Sequence, residues 1–149
     1  MAQGLGTVRR FPSTMTPVIK LLLESNVGIV QMPCPEKEIL GLIRAPRNKD
    51  EMPKEIMNYH AAQLAKSICT EIEDYIKNQF KIVAIIGKRG SPVCGVRECW
   101  TSKDTLSQEP GFLMKALMNR LEERDIVIPF IDFEKDDELI SIKAIQKLL

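Results

Sequence analysis

The chain has 149 residues, 44% of them apolar and 28% charged, with a net charge of +1. That size suits one ordinary domain with a real core, and the near-neutral balance gives no electrostatic case for a nucleic acid polymer or a membrane surface as partner. No apolar run approaches the roughly 20 residues that span a bilayer, and "MAQGLGTVRRFPST" lacks the apolar stretch of a secretory signal, so a cytoplasmic location is expected.

In chain order, "TPVIKLLLESN" reads as a helix with Thr16 as N-cap and Pro17 at the first helical position. "VGIVQM" (27–32) follows as a β-branched strand apolar on both faces, the pattern of a strand covered on two sides. A long helical region over 49–79 places Ile56, Leu64, Ala65, Ile68, Cys69, Ile72 and Ile76 on one stripe, with Glu71, Glu73, Asp74 and Lys77 opposite. His60 shares the edge of that stripe. "KIVAIIG" (81–87) is a second strand, 112–124 a third helix and "DIVIPFI" (125–131) a third strand. The last helix, 135–149, carries acids at its start and Lys143 and Lys147 near its end, as the macrodipole favours.

Strands alternating with helices predict a single α/β domain over 1–149: three layers around a mostly parallel, Rossmann/flavodoxin-like sheet. Ligands of such sheets bind beyond the carboxyl ends of the strands. Two segments fall there, "QMPCPEKEILGLIR" and "GKRGSPVCGVRECW", which puts Cys34 and Cys94 a few residues past the first and second strands. Pro33 and Pro35 fix the backbone around Cys34, and Gly90, Pro92 and Gly95 permit a tight turn around Cys94. The four cysteines, at 34, 69, 94 and 99, form no CxxC pair and belong to a reducing compartment. Cys69 reads as core packing. From spacing alone, Cys34 and Cys94 are equally well read as buried hydrophobes or as two thiols facing one cavity.

The ordered set Cys34-Pro35-Glu36, Gly41-Leu42 with Arg44, and Ser91-Pro92-Val93-Cys94-Gly95 resembles the small desulfidases that include the 2-thiouracil desulfurases, over most of the chain. The resemblance implies a four-iron, four-sulfur cluster held by three cysteines, with one iron open to the sulfur of a thiolated base. Cys34 and Cys94 would be metal ligands. Glu36 would exchange a proton, Ser91 would hydrogen-bond the substrate or the bound sulfide, and Arg44, with Gly90 and Gly95, would bind the small-molecule substrate. Trp100 either stacks on a flat base or anchors its loop.

The family's third cysteine follows a first strand, and residues 1–33 contain none, so the expectation is that the first strand and its thiol are missing from this chain. The rival expectation is a cluster-free small-molecule or nucleotide-binding module, in which "GKRGS" offers backbone donors and two positive charges to an anion.

Overall fold

The computed structural model describes residues 15–134 and 137–149. The chain forms helix α1 (Thr16–Glu24), α2 (Pro35–Leu40), a 3-10 turn (Lys49–Glu51) and α3 (Lys54–Lys77). Strand β1 (Ile85–Lys88), hairpin strands β2 (Cys99–Ser102) and β3 (Thr105–Ser107), α4 (Phe112–Glu122), β4 (Phe130–Phe133) and α5 (Glu138–Gln146) follow. The fold is mixed α/β. β1 and β4 pair in parallel, Ile85 opposite Phe130, while β2 and β3 form a small antiparallel sheet.

Helix ends explain much of the layout. α1, α3 and α4 each finish in a non-glycine residue at positive φ: Asn26, Gln79 and Asp125. In each case the next N–H reaches back five residues, Val27 to the Leu22 carbonyl, Phe80 to Tyr75 and Ile126 to Leu121. This is the Schellman closure, which consumes orphan carbonyls and turns the chain sharply. Each turn therefore launches one of the three apolar segments expected as strands.

Two of those segments reach the sheet, shorter and later than expected. The third, 27–32, is irregular, which corrects the predicted first strand: among the described residues no strand offers it a ladder, and Ile29 and Val30 are about half exposed. The two-stranded parallel pair is correspondingly less than the mostly parallel sheet of three strands expected.

Two apolar clusters flank β1 and β4. One joins Ile85 and Ile128 to Met57, Ala61, Ala65, Ile68, Cys69 and Ile72 of α3 and to Leu113, Met114, Leu117 and Leu121 of α4. The other joins Ile131, Phe133 and, partly buried, Ile86 to Val18 and Leu22 of α1 and Ile145 of α5. Alternation along each strand thus sends successive side chains to opposite clusters. Each fully buried side chain of this size contributes about 1.5–3 kcal/mol relative to exposure.

The buried stripe of α3 is rotated from the expected one. Met57 is fully buried while Ile56 and Ile76 are exposed, and the helix packs chiefly on α4. Thr16 opens α1 as its first residue, with Met15 at the N-cap position.

Candidate functional site

Cys34 is the N-cap of α2, where Pro35 pre-sets the first helical φ and Glu36 and Glu38 occupy the acidic first turn. The helix stops at Gly41, whose φ of 83° turns the chain back toward the site. Arg44 then folds over α2. Its Nε lies 3.0 Å from Glu36 Oε1, one Nη donates to the Gly41 carbonyl at 3.0 Å, and the other lies 3.7 Å from Cys34 Sγ.

The second half comes from the turn after β1. Gly87 faces the Cys94 carbonyl, and any Cβ there would collide with it. The Lys88 N–H donates to that same carbonyl at 2.9 Å. Ser91 Oγ accepts the N–H of Cys94 at 3.0 Å and of Val93 at 3.3 Å, and its hydroxyl meets the Cys94 sulfur, where it favours the thiolate. Gly95 is packed too tightly for a side chain, against the carbonyls of Ser91 and Glu98.

These halves converge, although 60 residues separate them in sequence. Burial first, then the nearby charges of Cys34 and Glu36, push the Cys94 thiol up to about 11. Glu36, Arg44, Gly90 and Ser91 line an open cleft of about 680 Å³ together with Trp100 and Leu106 of the hairpin; Cys34 and Cys94, each half-buried, are not among its lining residues.

The loop 88–91 differs from the anion cradle considered from sequence. Its four consecutive N–H groups already donate to the carbonyls of Cys94, Phe133, Glu98 and Lys88. Arg89 is spent on Glu98 and Glu134, and their hydrogen bonds raise its pKa further. Glu98 also accepts from Gln108 at 2.7 Å.

The cluster that the resemblance implies needs three thiolate ligands. Cys34 and Cys94 suit it in kind, but Cys69 and Cys99 are buried elsewhere, Cys99 with its thiol 3.9 Å from the Pro110 carbonyl. Among the described residues no group of three His, Cys, Asp or Glu side chains comes together to hold a metal ion. The residues therefore fall one donor short of a complete cluster site.

His60 lies on the outer edge of α3 with Nδ1 3.5 Å from Glu38, away from the cleft lining. Two contributors escaped the sequence reading. Asp132, in β4, accepts the N–H groups of Val96 and Arg97, and Leu106 pairs with Trp100 across the hairpin. An acid alternating with aromatic residues in "FIDF" was the available signal for the first.

No family model matches the chain, and no solved structure matches it. It is 25% identical over 144 residues to the uncharacterized protein MJ0003 of Methanocaldococcus jannaschii, covering 95% of this chain and 85% of that protein. Among the described residues no helix is long and apolar enough to cross a membrane.

Proposed function

We propose that this chain is a desulfidase-like protein that binds a small sulfur-bearing molecule, a thiolated nucleobase by class, with Cys34 and Cys94 as soft donors beside the residues that line the cleft. The observation that carries the reading is the convergence of Cys34-Pro35-Glu36 and Ser91-Pro92-Val93-Cys94 on one cluster of two thiols, a carboxylate, a hydroxyl and a guanidinium. A doubly covered, Rossmann-like sheet belongs to the same reading, supported by the alternation of β1 and β4 residues between two apolar clusters.

In this role Arg44 is oriented by Glu36 and the Gly41 carbonyl and presents its remaining N–H groups to the polar edge of a substrate. Glu36 lines the cleft within reach of a bound molecule and exchanges a proton there. Ser91 holds the Cys94 loop and steadies its sulfur. Cys34 and Cys94 would give an iron–sulfur cluster two of the three thiolates it needs, and such a cluster would offer a Lewis-acidic iron to a soft sulfur.

Anaerobic incubation with iron and sulfide, followed by a sulfide-release assay on 2-thiouracil, tests the reading. Broad visible absorbance that disappears in Cys34→Ala and Cys94→Ala and survives in Cys69→Ala, together with sulfide release, supports a desulfidase. A colourless protein that binds 2-thiouracil through the two cysteines supports a cluster-free binding protein. Full retention of binding and colour in both cysteine variants overturns the assignment of the site.

A further inference from the structure

We infer that Trp100 is the stacking platform of the cleft and selects flat heterocycles over other sulfur compounds. The inference rests on the reading of the cleft as a small-molecule site and names what that site recognises by shape.

Three observations support it. Trp100 is 41% exposed although it sits in the middle of β2, and it lines the cleft. Its indole edge is fixed: a Cβ on Gly90, at φ +75°, would lie 2.9 Å from Nε1 and 3.0 Å from Cδ1. Gly90 therefore allows the ring to rest edge-on against the turn, which limits its rotation. Leu106 stands directly opposite Trp100 in the hairpin register, so both project from the same face, and both line the cleft.

The same cleft also carries polar groups. Leu42, 75% exposed just after the Gly41 turn, faces the cleft beside Arg44, Glu36 and Ser91. An indole and a leucine side chain in one cleft with a carboxylate, a guanidinium and a hydroxyl suit a molecule with one flat face and a hydrogen-bonding rim. That is a nucleobase-like heterocycle. A small acyclic thione offers the rim but has too little surface for the ring. Stacking of a base on an aromatic side chain is sequence-tolerant and substantial, and its removal typically weakens binding by about tenfold or more.

Because Trp100 is the single tryptophan of the chain, its emission reports the platform directly. The experiment titrates the intact protein with 2-thiouracil, uracil and thiourea, following tryptophan emission and calorimetric affinity. The same titrations are made on Trp100→Phe and Trp100→Leu, with circular dichroism to confirm the fold. The expected result is quenching by 2-thiouracil, affinity within about threefold in Trp100→Phe, and a loss of about tenfold in Trp100→Leu. Uracil that quenches and binds as well as 2-thiouracil supports the platform and removes the sulfur reading. Equal affinity for thiourea and 2-thiouracil, unchanged in Trp100→Leu, overturns the platform and leaves the sulfur reading standing. Absence of binding by every ring compound overturns both.

Discussion

Asp132 holds Val96 across the sheet end. Its carboxylate in β4 accepts the Val96 N–H at 2.8 Å and the Arg97 N–H at 3.0 Å, so a side chain of one strand closes the loop that follows the other. The loop so closed is the one that carries Cys94.

Removing that clamp has a calculable cost, since bonds to a charged acceptor contribute about 1.5–3 kcal/mol and the buried Val96 donor is left unmet when they are lost. Asp132→Ala is expected to lower stability by about 2–3 kcal/mol in urea unfolding, and Asp132→Asn by about half as much because one acceptor oxygen remains. Amide exchange at Val96 and Arg97 should quicken in both variants, well before exchange in α3 or α4.

Glycines at the site separate by what surrounds them. Gly87→Ala drives a methyl group into the Cys94 carbonyl, and the expected loss is at least about 2 kcal/mol with displacement of the loop. Gly28→Ala has open space within 4 Å and is expected to change stability by less than about 0.5 kcal/mol. Paired thermal unfolding of the two variants makes the comparison.

The raised pKa of Cys94, about 11 against 9.0, means that the folded, metal-free protein keeps its proton more tightly than the unfolded chain. Stability from this group is fully present below pH 9 and is lost as pH rises toward 11. Urea midpoints measured from pH 8 to 11 should fall more steeply for the parent than for Cys94→Ala. At neutral pH, iodoacetamide should modify Cys94 far more slowly than a free thiol, because the thiolate is the nucleophile.

Arg44 joins both donors of the first half-site, and its planar fork is what permits three partners at once. Arg44→Lys is expected to weaken 2-thiouracil binding about tenfold, with a stability change below about 1 kcal/mol, since lysine keeps a positive charge beside the mostly buried Glu36 carboxylate. Isothermal calorimetry and thermal unfolding on the same preparation separate the two effects.

The helix closures offer a further check. Gln79 holds φ at 65° without the freedom of glycine, a strain of about 1–2 kcal/mol for an ordinary residue. Gln79→Gly is expected to stabilise the chain by about 0.5–1 kcal/mol after the added freedom of the unfolded state is counted. A higher melting temperature is the readout.

Local pattern and long-range contact divide what was legible in the sequence. The positions of Cys34 and Cys94 after two apolar runs were enough to suggest one shared site, although only Cys94 follows a strand and Cys34 instead caps α2. The apolar run 27–32 was misread as a strand, since β-branched composition says nothing about whether a neighbour exists to complete the ladder. The helix α2 was missed although Pro35 followed by two acids is a helix-start signature. The hairpin was hidden because Lys103-Asp104 is not a glycine-type turn and "CWTS" alternates weakly. "GKRGS" looked like an anion cradle from composition alone, whereas its N–H groups answer to Phe133 and Glu98, partners that no local pattern reveals. The helix on which α3 chiefly packs, α4, likewise lies outside its own window.

The parallel pairing of β1 with β4 also bears on assembly. Its closure encloses the whole Cys94 loop, the hairpin and α4, so the chain entropy of a long segment must be overcome before Asp132 can reach Val96. Contacts between α3 and α4 close a segment of comparable length, so helix pair and sheet form under the same entropic demand. Shielding of Cys94 is thus expected to arrive with these long-range contacts. In refolding interrupted by pulses of alkylating reagent, protection of this thiol would mark arrival of the native chain topology, after helix signals have already recovered.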